Sequence, residues 1–268
     1  MRNVILFFLV AGTGVFQVLA AGGGSQIQPG DEIAEPDELE DYEDVYVTYP
    51  KASGKPSGTG GNDRDSSPPR RTIRLWPNGV VKYKISPSLQ SDNPDKVAKL
   101  KALMNDLTKK TCVRFEVAKA SDISYVSIIP GLKCSSMTGK QEGVSTLMLS
   151  VAKCFDNASL ARGLMRNLGF TYESNRADRD QYITINWDNV AESNKAKFNK
   201  LSAEDYPVTD MPYDFGSVTH YPKNIWAKNK GTWTVKAKNP RDSSVRLGNT
   251  RGFSEGDIAK IKKLYKCR

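Results

Sequence analysis

The stretch Leu160-Ala161-Arg162-Gly163-Leu164-Met165-Arg166-Asn167-Leu168-Gly169-Phe170-Thr171-Tyr172-Glu173 limits most strongly what this chain can fold into. Leu160, Ala161, Leu164, Met165 and Leu168 recur at i, i+4 and i+8, the spacing of a helix with a buried face. Arg162 and Arg166 lie one turn apart on a neighbouring face, so their guanidiniums project together. Gly163, inside the helix, costs it about 1 kcal/mol relative to Ala. Two adjacent guanidiniums repel a divalent cation and suit carboxylates, phosphates or sulfates.

Further landmarks stand on both sides of this helix. Trp76-Pro77-Asn78-Gly79-Val80-Val81-Lys82-Tyr83 and Lys110-Thr111-Cys112-Val113-Arg114-Phe115 precede it. Arg176-Ala177-Asp178-Arg179-Asp180, Tyr182-Ile183-Thr184-Ile185-Asn186 and Pro212-Tyr213-Asp214-Phe215-Gly216-Ser217-Val218-Thr219-His220-Tyr221 follow. Phe253-Ser254, Asp257-Ile258 and Leu264-Tyr265-Lys266-Cys267 close the series. In this order they resemble the mature domain of the astacin-family metalloendopeptidases over residues 72–268. The resemblance implies an α/β (α+β) fold, the two-lobed metzincin type. Its N-terminal lobe would hold a mixed twisted sheet and two long helices, and its irregular C-terminal lobe would end in a helix.

The family's activity is peptide-bond hydrolysis on one zinc ion, held by a helix reading His-Glu-x-x-His-x-x-Gly-Phe-x-His-Glu. Here Gly169, Phe170 and Glu173 keep the frame, while the ligand positions are Arg162, Arg166 and Tyr172 and the catalytic Glu position is Gly163. A guanidinium keeps its proton and has no acceptor lone pair, so it cannot replace a ligand. Glycine has no side chain with which to take a proton from water. Thr219 stands where the family has the methionine of its Met-turn; His220 and Tyr221 are kept, and in the family that Tyr can ligand zinc and stabilise the transition state. His220 is the only histidine in the chain, so no three-histidine site can be assembled within it. We therefore expect no catalytic residue, no bound metal and no cofactor. Arg162, Arg166, Tyr172, Glu173, His220 and Tyr221 are the cleft candidates, either as ligand-binding groups or as packing residues. The alternative is an unorthodox zinc site built from His220, Tyr172, Tyr221 and Glu173.

Val4 to Ala20 is an apolar run behind Arg2 that ends Val18-Leu19-Ala20, which reads as a secretory signal peptide over 1–20; an uncleaved anchor is the competing reading. Secretion makes disulfides the expected state of the four cysteines, for which three connectivities exist. The astacin resemblance implies Cys112–Cys267 and Cys134–Cys154. Asn157-Ala158-Ser159 is the single glycosylation sequon, with Asn157 as acceptor. Residues 21–71 read as a pro-segment or linker, acidic at first and then rich in Gly, Ser and Pro. Arg70-Arg71 forms a dibasic processing site, and Gly30-Asp31 superficially resembles the Gly-Asp element with which family zymogens cap the zinc.

Val81, Tyr83 and Ile85 alternate as in a strand, as do Val113, Phe115 and Val117. Further strands are expected at Tyr125–Ile129 and Thr146–Leu149. A helix starts near Asn93-Pro94 with Val97, Leu100, Leu103, Met104 and Leu107 inward, and the last helix opens on the capping-box-like Ser254-Glu255-Gly256-Asp257. Charge is divided unevenly: nine acidic residues and no basic ones lie between Asp31 and Asp44, whereas residues 71–268 hold 34 Lys and Arg against 19 Asp and Glu. Lys223, Lys228, Lys230, Lys236 and Lys238 flank Trp226 and Trp233, and Lys260, Lys262, Lys263, Lys266 and Arg268 form a second basic cluster. The function expected is that of a secreted, inactive protease homologue whose partners are proteins, peptides or anionic glycans. No nucleic acid is expected, nor any membrane span after signal cleavage. A polyanion-binding module is the alternative from a different class.

Overall fold

The structure, a computed structural model, describes residues 42–44, 73–202, 208, 210–242 and 244–268, which fall in one unit spanning Ala34–Arg268. The expected signal peptide, Gly30-Asp31, Arg70-Arg71 and the rest of the 21–71 segment lie outside the described residues, apart from the backbone of Tyr42–Asp44.

Strand β1 (Tyr42–Asp44) is followed by β2 (Val80–Ile85), where the expected alternation buries Val81, Tyr83 and Ile85. Helix α1 (Pro87–Asp92) begins on Ser86, whose Oγ accepts a hydrogen bond from Leu89 N at 3.1 Å, with Pro87 supplying helical φ at the first position. Helix α2 (Pro94–Lys110) buries Val97, Leu100, Met104 and Leu107, leaving Leu103 partly covered. After it come β3 (Arg114–Val117), β4 (Tyr125–Gly131), β5 (Cys134–Ser136) and β6 (Val144–Ser150). These six strands form one sheet in the order β1-β5-β6-β4-β2-β3. The pairings β2–β3, β2–β4, β4–β6 and β1–β5 are parallel and β5–β6 is antiparallel, so the sheet is mixed. Val117, expected to point inward, is 67% exposed at the end of an edge strand.

Helix α3 (Asn157–Asn167) packs with α2 into the main apolar core, together with Leu147, Leu149 and Ile128 from the sheet. Beyond α3 the chain is mostly turns and short 3-10 segments. β7 (Ile183–Ile185) and β8 (Val235–Ala237) pair there as an antiparallel ladder. A second apolar cluster of Tyr172, Ile183, Val190, Phe198, Tyr221, Ile225, Trp226 and Val235 gives this lobe its own core. Helix α4 (Glu255–Leu264) ends the fold, and its capping box is complete. Ser254 Oγ accepts from Asp257 N, and an Asp257 carboxylate oxygen accepts from Ser254 N. Disulfides join Cys112 to Cys267 and Cys134 to Cys154, the pairs the resemblance implies. The first ties the start of β3 to the chain end, and the second ties β5 to the approach to α3. The architecture is the two-lobed astacin-like one.

Candidate functional site

Helix α3 begins where Asp156 Oδ1 accepts from the main-chain N–H groups of Ala158 and Ser159, at 2.8 and 2.9 Å. Asn157, the sequon asparagine, is exposed in its first turn, while Ser159 is buried. From Ala158 to Asn167 every residue is buried. The helix is anchored at its far end: Trp76 Nε1 donates to Asn167 O at 2.9 Å and the Tyr265 hydroxyl donates to Leu168 O at 2.9 Å. Gly169 then takes a φ of 102°, which turns the chain so that Phe170 N reaches Met165 O at 3.1 Å.

This turn sets where the next residues go, and the six cleft candidates come together. Arg162 is 3% exposed and donates from Nε to Val218 O at 2.8 Å. Arg166, 2% exposed, donates to Phe170 O at 3.3 Å and lies over the Tyr172 ring at 5.1 Å. Tyr172 packs on Tyr221 with ring centroids 4.8 Å apart. Tyr221 in turn meets Phe198 and Trp226 edge-on, and its hydroxyl donates to Lys197 O at 3.2 Å. His220 Nδ1 lies 2.7 Å from Tyr221 O, a carbonyl that can only accept, so Nδ1 carries the proton. Nε2 therefore accepts from the Tyr213 hydroxyl 2.9 Å away. Burial lowers the His220 pKa to about 4, below its ordinary 6.5, so the ring is neutral at physiological pH. All six side chains are buried.

Glu173 is fully buried beside them. Its Oε1 accepts from Asp214 N at 2.8 Å and from Arg176 Nη1 at 3.1 Å, and its Oε2 pairs with Lys260 Nζ at 2.6 Å. Arg176 also grips Asp178 through Nε and Nη2, at 2.9 and 2.8 Å. From α4, Asp257 accepts from Ser217 Oγ and Val218 N, and so fixes the turn that carries Thr219 and His220. One residue of the expected surface cluster is thereby corrected: Lys260 is buried on Glu173 because it shares the inward stripe of α4 with Asp257, Ile261 and Leu264, whereas Lys263, paired with Asp210, is exposed. Trp226 is likewise buried in the second core, whereas Lys223, Lys228, Lys230, Lys236 and Lys238 are exposed as expected. Sequence reasoning had not placed Lys260, Asp257, Arg176 and Tyr213 at the site. The available signal was the position of Asp257 and Lys260 on that stripe.

A catalytic zinc requires three neutral-nitrogen or anionic ligands and an open position for water. Arg162 and Arg166 supply no lone pair. The two ring nitrogens of His220 are taken by Tyr221 and Tyr213, and the Glu173 carboxylate is taken by Arg176, Lys260 and Asp214 N. Among the described residues no three His, Cys, Asp or Glu side chains converge as a metal site. The donors at this position do not fit a zinc ion.

The model of the Astacin peptidase family matches residues 69–266. The zinc metalloproteinase nas-13 of Caenorhabditis elegans is 35% identical over 198 residues, covering 74% of this chain and 42% of that protein. The low choriolytic enzyme of Oryzias latipes is 32% identical over 197 residues, covering 72% of this chain and 69% of that protein. The chain thus spans less than half the length of nas-13. Among solved structures, high choriolytic enzyme 1, a hatching-enzyme zinc protease from Oryzias latipes, superposes with a TM-score of 0.66 at 29% identity. That superposition covers 73% of this chain and 94% of that one. With a matching family model over most of its length and relatives above 30% identity, this chain belongs to the astacin family of peptidases.

Proposed function

We propose that this chain is a secreted astacin-like domain that has lost peptide hydrolysis and acts by binding peptide, protein or anionic ligands. One observation carries the reading. The positions of the three zinc ligands and the catalytic base hold Arg162, Arg166, Tyr172 and Gly163, and that of the Met-turn methionine holds Thr219, inside a frame whose other landmarks follow in order. Its relatives are named as zinc proteases, so hydrolysis on zinc is the activity given up. The signal-like segment 1–20 and the two disulfides support secretion, and no helix among the described residues is long and apolar enough to cross a membrane. Exposed Asn157 is the proposed glycan acceptor, which a mass loss on amidase treatment would reveal.

The test is an assay of the purified chain, supplied with zinc, on casein, gelatin and a mixed peptide library. Absence of cleavage above a buffer blank is expected. Cleavage that a chelator abolishes and added zinc restores would instead establish a working unorthodox zinc site.

Basic charge favours a second reading, a polyanion-binding module for sulfated glycans or acidic proteins. Lys228, Lys230, Lys236 and Lys238 are exposed around half-buried Trp233, and Lys236 Nζ lies 4.4 Å from that ring's centroid. Retention on heparin resin at physiological salt is its expected signature, and elution in the void volume would reject it.

A further inference from the structure

A cavity of about 550 Å³ opens far from helix α3 along the chain, at the carboxyl ends of β2 and β3. The chain bends away there: Ala118 N donates to Tyr83 O at 2.8 Å, just past the end of β3. The cavity is bounded by the ends of β2 and β3, the first residues of β4, Gln90 of α1 and Lys101 of α2.

The walls select a chemistry. Lys84, half-buried on β2 and in register with Ser127 of β4, lines the cavity with its Nζ 4.2 Å from the Tyr125 ring centroid. Lys101 lines it from α2, and no carboxylate is among the lining residues. Ile85, Pro87 and Val117 supply an apolar wall, with Val117 67% exposed to whatever enters. Tyr125 and Ser127, both hydroxyl-bearing, are also among the lining residues. Two ammonium groups without a carboxylate call for an anion, and the apolar wall calls for a flat hydrocarbon body attached to it. The volume lies within the range of about 300–1,000 Å³ typical of small-molecule sites.

We propose that this cavity binds an aryl anion: a ring carrying a sulfate or phosphate ester, as on a modified tyrosine of a partner polypeptide. The ester oxygens sit between Lys84 and Lys101, and the ring lies against Pro87 and Val117. The assignment is independent of whether α3 retains any hydrolytic activity, since none of its residues belongs to that site.

The test titrates the full chain with p-tolyl sulfate and p-tolyl phosphate by calorimetry, with p-cresol and inorganic sulfate as controls. At least one ester is expected to bind saturably, and the tighter of the two identifies the modification. The p-cresol and inorganic sulfate controls are each expected to bind about tenfold more weakly or less. Lys84→Gln with Lys101→Gln should weaken the ester about tenfold, the scale of losing two partly screened charge contacts. Val117→Asp, at a position 67% exposed, should weaken it comparably by placing a carboxylate at the mouth. No saturable binding of either ester overturns the assignment. So does unchanged affinity in the lysine variant with an unaltered Tm, or inorganic sulfate binding as tightly as the esters.

Discussion

Glu173 is buried with two cations on its carboxylate, Arg176 and Lys260, so its removal leaves positive charge without its counterion. Glu173→Ala is expected to cost about 3–5 kcal/mol in urea unfolding, the usual range for breaking a buried pair. Arg176 keeps Asp178, so pairing Glu173→Leu with Lys260→Met should recover part of that loss. Equal losses in the single and double variants would show that Glu173 does not hold Lys260. His220 gives a pH dependence whose sign is fixed. Its folded pKa of about 4 lies below the ordinary 6.5, so between those values the unfolded chain binds more protons. Stability therefore falls as pH drops through that window, by about 3 kcal/mol at most. Thermal melts at pH 7 and pH 4 should show that part of the acid loss disappear in His220→Gln; an identical acid loss in both proteins would reject it. At this scale the sequence was informative where chemistry is categorical: Arg162, Arg166 and Gly163 have no ligand or base function in any geometry. Lys260 was misjudged because a lysine in a helix is solvated by default, and only the tertiary position of Glu173 overrides that.

The helices and the long strands were legible because each carries its own period. α3 buries all of its expected stripe and α2 all but partly covered Leu103, and Val81, Tyr83 and Ile85 of β2 are buried in alternation. Elements too short for a period were not found: β5 and β8 have three residues each, and α1 fits in the six between Ser86 and Asn93. For α1 the Ser86-Pro87 start was the available signal. Val117 failed for another reason, since alternation assumes that both neighbours of a strand continue past it. The junction after α3 supplies the test at this scale. Gly169 has a φ of 102°, and a Cβ there would stand 2.8 Å from Ile73 Cγ2 and 3.2 Å from Leu75 Cδ2. Gly169→Ala should destabilise by about 1–3 kcal/mol, from the backbone region alone. Amide exchange should quicken at Gly139 and Phe170, whose N–H groups bond to Arg166 O and Met165 O. Unchanged exchange at both would show that this turn does not hold the end of the helix.

The molecule as a whole was legible through the order of its landmarks, which resemblance converts into two lobes and two disulfides. The separations of those disulfides rank their effects. Cys112–Cys267 spans 155 residues and Cys134–Cys154 spans 20, so the chain-entropy model assigns them about 5 and about 3 kcal/mol. Removing the longer bridge by paired Ser substitution should lower the urea midpoint more, and the reverse ranking would point to native-state packing at the shorter one. What no landmark revealed is where part of the acidic block goes. Tyr42–Asp44, the end of the run that begins at Asp31, pair in parallel with β5. That tether holds nine carboxylates on a chain whose remainder from Arg71 onward is strongly basic, and attraction between them reaches about 10 Å at 0.1 M salt. We expect the block to compete with external polyanions for the basic surface. In the full chain, changing all nine acids to Asn or Gln should raise the salt needed for elution from heparin, which sets the upper limit. Tyr42→Pro leaves the charge unchanged but replaces a residue of the β1–β5 ladder with one that has no N–H to donate. If the tether holds the mask, Tyr42→Pro should move elution part of the way to that limit. Elution at the wild-type salt concentration would mean that the acidic block does not depend on β1 to shield the domain.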